Sequence, residues 1–172
     1  MKDELERLYQ TTYASVVRFL YRKVWDADRA EDLAQEVFIR AMAHRPEKPR
    51  AWVFAVAANL ARDEARSAIR RRRHLTLLTN EPAMLSAPEM PADEAVEHDE
   101  RMGQVREALS VLSDRDREVL LLWDAGMSYP EIAEQSGLAV GAVGTTLARA
   151  RKRLIETYDR QEAGRKQHAA HS

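Results

Sequence analysis

An acidic stretch between residues 28 and 42 carries side chains suited to binding a basic partner. Apolar residues recur there at intervals of three and four, the pattern of a helix with one buried side: Ala30, Leu33, Ala34, Val37, Phe38 and Ala41. The opposite side holds carboxylates, an amide and one isoleucine: Asp28, Asp32, Gln35, Glu36 and Ile39. Two interpretations stay open for this side, a docking surface for a basic protein and a solvated face without a partner.

The next segment, residues 49–73, carries arginines at a spacing that suits phosphates. One face of a helix there would hold Trp52, Ala55, Asn59, Arg62, Arg66, Arg70 and Arg73. Arginines one turn apart match the phosphates of a nucleic-acid strand, and an aromatic or amide side chain can stack on or hydrogen-bond to an unpaired base. The run 70–73 would form a collar that attracts phosphates without reading bases. Core packing is the alternative for Trp52.

Three amphipathic helices would position these two surfaces. The first, over residues 4–24, has one apolar stripe: Leu5, Leu8, Tyr9, Tyr13, Val16, Val17, Leu20 and Val24. Asp26 or Asp28 can cap the second helix, and Pro46 and Pro49 separate it from the third, which Pro49 opens. The third should end near Arg73 and pack through Val53, Val56, Ala57, Leu60, Ala61 and Ala65. Residues 1–73 are therefore predicted to form a three-helix domain.

Residues 74–103 have the composition of a flexible acidic linker. The span 80–100 is rich in acids, holds no lysine or arginine, and includes three prolines. Such a segment cannot bury a core, although its end could be helical. A polyanionic linker could imitate a nucleic-acid strand inside a basic channel, or it could be only a spacer, and the sequence does not choose between them.

A second helical domain is predicted over residues 104–158. Ser113 can cap one helix, with Trp123 on its buried side, and Ser128 with Glu131 forms a capping box for the next. Gly137 suits a left-handed turn before a last helix from about Val140 to Tyr158, which gives the spacing of a helix-turn-helix. Its exposed positions would be Ala142, Thr145, Thr146 and Arg149, followed by Arg151, Lys152 and Arg153. Residues 159–172 are predicted to be a disordered tail.

Composition excludes several classes of function. Lys and Arg total 27 against 28 acids, so any binding of a polyanion must come from charge that is segregated along the chain. Without cysteine, and with five scattered histidines, the chain is expected to hold neither a metal nor another cofactor. No apolar run approaches the roughly 20 residues that span a bilayer, and the acidic start does not suit a signal peptide. We expect a cytoplasmic protein without membrane insertion, catalysis or a small-molecule substrate.

Taken together, these motifs resemble the sigma-70 family of bacterial transcription initiation factors, specifically the short extracytoplasmic-function (ECF) subgroup. The segment Asp28–Phe38, DRAEDLAQEVF, is very close to that family's core-polymerase-binding motif. The segment Arg50–Asp63 is similar to its promoter-melting segment, and Leu109–Leu154 is similar to its second DNA-binding domain. A helix-turn-helix is shared with many regulators, whereas an acidic motif followed by a tryptophan-arginine helix is specific.

The resemblance implies a role for each set of residues. Binding of core RNA polymerase would fall to Asp28, Glu31, Asp32, Gln35, Glu36 and Ile39. The non-template strand of the minus-10 promoter element, with a flipped base, would be held by Arg45, Lys48, Arg50, Trp52, Asn59, Arg62, Asp63, Arg66, Arg70 and Arg73. The minus-35 element would be read by Ala142, Thr145, Thr146, Arg149, Arg151, Lys152 and Arg153. Many members of the family are held inactive by an anti-sigma factor, which is therefore a further implied partner.

The last helix departs from the family pattern. Members usually carry basic or larger polar side chains where this chain has Gly144, Thr146 and Ala148, so groups for bidentate base contacts are few. We expect weak or unusual readout of the minus-35 element, carried by Thr145, Thr146 and Arg149. The alternative function is a free-standing helix-turn-helix regulator with an N-terminal dimerisation or sensing domain. An enzyme is disfavoured because the sequence has no phosphate loop, nucleophile elbow or metal cluster.

Overall fold

A computed structural model of the chain describes residues 2–79 and 95–171, and it describes side chains over 2–78 and 100–171. Its secondary structure within those ranges is entirely helical: α1 (Lys2–Val24), α2 (Ala27–His44), α3 (Pro49–Thr79), α4 (Ala95–Ser110), α5 (Asp114–Asp124), α6 (Tyr129–Ser136) and α7 (Val140–Ala170). The helices fall into two compact units, Met1–Glu89 and Met90–Ser172. The prediction of an all-α fold in two domains is confirmed.

The first unit is a bundle of α1, α2 and α3 around one apolar core. Phe54 and Leu20 are fully buried, and the rings of Phe19 and Phe54 meet edge to face with their centroids 5.8 Å apart. Burying a phenylalanine of this kind contributes about 2–3 kcal/mol to folding. Alanines line the contacts where the helices approach closely: Ala30, Ala34, Ala41, Ala57 and Ala58. The predicted inward side of α3 is buried at Val53, Ala57, Leu60 and Ala61, whereas Val56 is only partly buried and Ala65 is exposed.

The ends of α2 and the start of α3 follow from local side-chain chemistry. Asp26, rather than Asp28, caps α2, and its carboxylate accepts a hydrogen bond from the Arg29 backbone N–H at 3.0 Å. The helix ends at Arg45, whose left-handed conformation (φ 45°) lets its N–H donate to the carbonyl of Ala41. Pro49 is the first residue of α3, as predicted.

The third helix is longer than the sequence predicts. It continues past Arg73 to Thr79, and α4 begins at Ala95, so helices occupy both ends of the predicted linker 74–103. No proline or glycine interrupts residues 74–79, and the first proline after Pro49 stands at position 82. The linker acids at positions 81, 89, 93 and 94, with the two interpretations attached to them, lie outside the described residues.

The second unit contains a helix-turn-helix formed by α6 and α7. The capping box at the start of α6 is present, because the Ser128 hydroxyl accepts from the Glu131 N–H and the Glu131 carboxylate accepts from the Ser128 N–H. Gly137 ends α6 with φ 71°, and fully buried Ile132 and Val143 hold the two helices together. The prediction for Trp123 is wrong, because its side chain remains 39% exposed.

The last helix also extends further than predicted. Residues 159–170 continue α7 without a break, so the expectation of a disordered tail over 159–172 is wrong for this stretch. The extension packs on α4, where Arg165 lies 3.8 Å from the Glu100 carboxylate and next to the side chain of Gln104. The polar composition of the tail hid this contact, since nothing in the local sequence shows that α4 offers partners.

Candidate nucleic-acid and protein interfaces

The predicted acidic residues of α2 share one exposed surface. We call this surface the acidic face, and it consists of Asp28, Glu31, Asp32, Gln35, Glu36 and Ile39. Glu36 is partly exposed and forms an ion pair with Arg40 on the same helix, whereas Ile39 leaves 65% of its surface in solvent. An isoleucine exposed among carboxylates suits a partner that is both basic and apolar, because a solvated helix face gains nothing from it.

Aromatic side chains from α1 border the acidic face, a feature that the sequence did not reveal. Tyr9 stacks on Tyr13 with ring centroids 4.6 Å apart and meets Phe38 edge to face at 5.1 Å, yet it remains 45% exposed. Burial, the nearby Tyr9 and the negative charge of Glu31 raise the pKa of Tyr13. The periodicity of α1 placed both tyrosines in a buried stripe, and only the packing of the helices shows that Tyr9 reaches the surface.

The arginine stripe of α3 lies at the surface of the same unit. We use this name for Asn59, Arg62, Arg66, Arg70 and Arg73, all of which are exposed except Arg62, which is partly so. The Arg62 guanidinium donates to the Asn59 side-chain oxygen at 2.5 Å, and Arg66 lies 3.7 Å from Asp63. These short-range contacts orient the side chains, and Arg66 remains 73% exposed, so the stripe can still bind phosphates.

One arginine of the run 70–73 has a structural partner. Arg71 lies 3.6 Å from Glu64, which also accepts a hydrogen bond from Arg29 at 2.8 Å. The Glu64 side chain is only 17% exposed, and the hydrogen bond from Arg29 is the main reason that its pKa lies below the ordinary value. The carboxylate therefore joins α2 to α3 through Arg29, and it also contacts Arg71 of the predicted collar, whose side chain remains 68% exposed.

A groove lies beside the turn between α2 and α3. It encloses about 350 Å³ between the start of α1 and the turn, and its lining includes Leu5, Leu8, Met42, Arg45, Pro46 and Pro49. Lys48 is exposed on the turn, and the Arg50 guanidinium lies over the ring of Phe54 at 5.3 Å. Trp52, half-buried, has its ring 5.6 Å from that of His44. The predicted basic and aromatic residues are therefore grouped near one end of α3.

The recognition helix α7 presents part of the predicted reading surface. Thr145 and Arg149 are exposed and Ala142 is partly exposed. Thr146 is 5% exposed, so its prediction as a surface position is wrong: it falls on the same side of α7 as Val143 and Ala150, which face the core. The basic residues that follow are exposed, and Arg151 lies 4.9 Å from the centre of the Trp123 ring.

A buried carboxylate that the sequence did not single out holds Arg149. The Arg149 guanidinium donates through Nη2 to Asp116 Oδ1 at 2.8 Å and through Nε to Asp116 Oδ2 at 3.3 Å. Asp116 is 3% exposed, and the hydrogen bond from Arg149 is the main cause that lowers its pKa. Asp116 lies three positions after the cap residue Ser113, and nothing in the local sequence shows that its side chain turns inward to meet an arginine of α7.

Residues 2–79 and 95–171 contain no group of three or more histidine, aspartate or glutamate side chains arranged to hold a metal ion. Every helix in those ranges is too short or too polar to cross a bilayer.

The two units together define a class of protein. A helical unit with an acidic face and an arginine stripe, joined in one chain to a helix-turn-helix unit, is the arrangement of a DNA-binding transcription protein. Residues 8–73 match the family described as Sigma-70 region 2, and residues 102–154 match Sigma-70, region 4.

Full-length relatives agree with these two matches. The chain is 34% identical over 151 residues to the ECF RNA polymerase sigma factor SigL of Mycobacterium tuberculosis, spanning 83% of this chain and 82% of SigL. It is 28% identical over 159 residues to the RNA polymerase sigma factor YlaC of Bacillus subtilis, spanning 89% and 91% of the two chains. A solved structure of the sigma factor RpoE with the anti-sigma factor NepR from Bartonella quintana has a TM-score of 0.65 and 25% identity, covering 92% of this chain and 98% of RpoE.

The chain therefore belongs to the sigma-70 family, in its extracytoplasmic-function group. It is a transcription initiation factor that directs RNA polymerase to promoters.

Proposed function

We propose that this sigma factor holds core RNA polymerase with the acidic face of α2 and holds an opened promoter strand with the arginine stripe of α3. The observation that carries the proposal is the separation of charge between two adjacent helices of one unit. The acids of α2 and the arginines of α3 are exposed in separate sets, and Glu64 of α3 pairs with Arg29 of α2 at 2.8 Å. Each surface can then engage a partner of opposite charge.

For the polymerase, the acidic face needs a partner surface that is basic and partly apolar. Asp28, Asp32 and Glu36 supply the charge, and Ile39 supplies an apolar anchor at one end of the face. A helix that lays such a surface against basic helices gains orientation from the charges and affinity from the isoleucine.

For the promoter, the minus-10 strand is the ligand of the arginine stripe and of the turn at the start of α3. Trp52 and Asn59 are the groups for a flipped base, and the cationic set Arg45, Lys48, Arg50, Arg62, Arg66, Arg70 and Arg73 provides the phosphate contacts. Asp63 holds Arg66 in place through their 3.7 Å contact. Flipping a base costs a few kcal/mol, which stacking and hydrogen bonds in the protein must offset.

The second unit is proposed to bind the minus-35 element through α7. Arg149 and Thr145 face outward for base edges, and the exposed cations Arg151, Lys152 and Arg153 are placed for phosphates. The factor acts in the cytoplasm as a specificity subunit without catalytic chemistry of its own. An anti-sigma factor is the proposed regulatory partner, supported by the fold shared with RpoE, which was solved with NepR.

Run-off transcription with core enzyme over a promoter library tests this proposal. The full chain should produce transcripts from a limited set of promoters, and core enzyme alone should produce none of them. The chain without polymerase should bind the same promoters poorly as duplex DNA. Tight binding of duplex DNA by the lone chain, with no transcripts in the presence of core enzyme, would favour the free-standing regulator instead.

A further inference from the structure

Base readout by the first three turns of α7 depends on a single long polar side chain. Residues 140–150 read VGAVGTTLARA, in which Arg149 is the one charged residue. Thr146 is buried, and a Cβ on Gly144 would lie 3.5 Å from the Tyr129 ring, so neither position offers a reading group. Bidentate contact with a base edge requires arginine, lysine, asparagine or glutamine, and in this stretch only Arg149 qualifies.

The Arg149 side chain is fixed in place from the α5 helix. Its Nε and Nη2 atoms donate to the two carboxylate oxygens of Asp116 at 3.3 and 2.8 Å. Two hydrogen bonds between a guanidinium and a carboxylate fix the plane of both groups. Because Asp116 is buried and belongs to α5, the helix-turn-helix receives this constraint from outside its own two helices.

The constraint leaves one edge of the guanidinium available. A guanidinium carries five N–H groups, of which Asp116 takes one on Nε and one on Nη2. The remaining N–H groups, on Nη1 and Nη2, form a fork, and the side chain is 52% exposed. Such a fork matches the O6 and N7 acceptors that guanine presents in the major groove.

We propose that Asp116 is a positioning residue for base readout, which holds Arg149 so that its outer edge reads a guanine in the upstream promoter element. The inference rests on the proposed role of α7 at that element. It assigns specificity to a residue on α5 that touches no DNA itself, and it makes one guanine the main determinant of upstream selectivity. A preset fork also loses less rotational freedom on binding than a free arginine does.

A selection over random upstream elements tests the inference. Holoenzyme made with the full chain would transcribe promoters randomised in that element, and sequencing of the transcripts would give the base preference at each position. The wild-type chain should favour guanine at one position by roughly tenfold. Arg149→Lys, which keeps the charge but loses the fork, and Asp116→Asn, which releases the guanidinium, should both lower that preference severalfold at the same position. Asp116→Glu should retain part of it, and Arg160→Lys, on the exposed continuation of α7, should change nothing.

Chemical substitution of the base gives a second readout. Replacing the selected guanine by 7-deazaguanine removes the N7 acceptor, so it should weaken complex formation by the wild-type chain and have a smaller effect on Arg149→Lys. If Asp116→Asn instead lowers transcription evenly from all sequences, Asp116 is only structural and the inference is overturned. If Asp116→Asn fails to fold by circular dichroism, Asp116→Glu decides: partial retention of the guanine preference supports the inference, and an even loss of transcription from all sequences overturns it.

Two further outcomes separate this inference from the proposed function. Selection of other bases with no guanine preference would overturn the role of Arg149 and Asp116 while leaving α7 as the reader. No selection at any upstream position would overturn the role of α7 at that element, and the present inference with it.

Discussion

At the residue scale, buried charged residues link helices, whereas exposed charged residues are available to bind a partner. Glu64 and Asp116 are largely buried and each accepts from an arginine on another helix, Arg29 and Arg149 respectively. Among the described residues, the stripe arginines Arg66 and Arg70 contact Asp63 and Ser67, each three positions earlier on the same helix. The two carboxylates therefore fix the positions of helices, whereas the two stripe arginines remain accessible to a ligand.

The Glu64 contact predicts a pH-dependent contribution to stability. Its folded-state pKa lies below the ordinary 4.5, so the stabilisation is present above the unfolded pKa and is lost as the pH falls through the folded one. Glu64→Gln should lower the free energy of unfolding by about 1–2 kcal/mol at neutral pH. The difference in unfolding free energy between this variant and the wild type should shrink as the pH falls through the folded-state pKa of Glu64. Urea unfolding of the Trp123→Phe chain, in which Trp25 and Trp52 report on the first unit, measures this. Asp63→Asn is the control, since Asp63 is 69% exposed and should matter by less than about 0.5 kcal/mol.

The stripe predicts a change in salt dependence. Arg62→Ala, Arg66→Ala and Arg70→Ala should each reduce the slope of log K against log salt for promoter-complex formation by roughly one or less, because each removes about one phosphate contact. Arg7→Ala is the control, since Arg7 is an exposed arginine on α1 outside the stripe, and its slope should stay at the wild-type value. Equal slopes for all four variants and the wild type would mean that the stripe does not touch DNA.

At the element scale, two glycines of the second unit have different structural roles. Gly137 adopts φ +71° between α6 and α7, so an alanine there is strained, whereas Gly164 lies inside α7 with nothing within 4 Å of an added Cβ. Gly137→Ala should destabilise the second unit by about 1 kcal/mol, and Gly164→Ala should stabilise it by about 0.5–1 kcal/mol. Urea unfolding followed by Trp123 emission, with the other two tryptophans changed to phenylalanine, measures both. If both substitutions changed the stability in the same direction, the left-handed turn at Gly137 or the helical position of Gly164 would be wrong.

Periodicity and capping signals in the sequence were sufficient for most of the elements. The apolar stripe of α2, Pro49 at the start of α3, and the Ser128 box with Gly137 were all predicted, because each depends on residues close together in the chain. The predictions failed where the structure depends on residues that are distant in the sequence. The extension of α7 depends on α4, and the exposure of Tyr9 and Trp123 depends on how whole helices pack. Thr146 was predicted to be exposed beside Thr145, but adjacent helix residues point in different directions, and its side chain faces the core.

At the scale of the whole molecule, a net charge of −1 conceals surfaces of opposite sign. The first unit carries both an acidic face and an arginine stripe, and the second carries a recognition helix with an exposed basic run at residues 151–153. A sigma factor has to bind a protein and a nucleic acid together, and segregated charge allows both without one partner competing for the surface of the other.

The most direct test of this account reverses the charge of the acidic face. The double variant Asp32→Lys and Glu36→Lys should lose most of its co-purification with core RNA polymerase, while Asp159→Lys, an exposed acid on α7, should bind as the wild type does. Both variants should keep wild-type circular dichroism, because none of these side chains is buried. Undiminished binding of polymerase by the folded double variant would contradict the account.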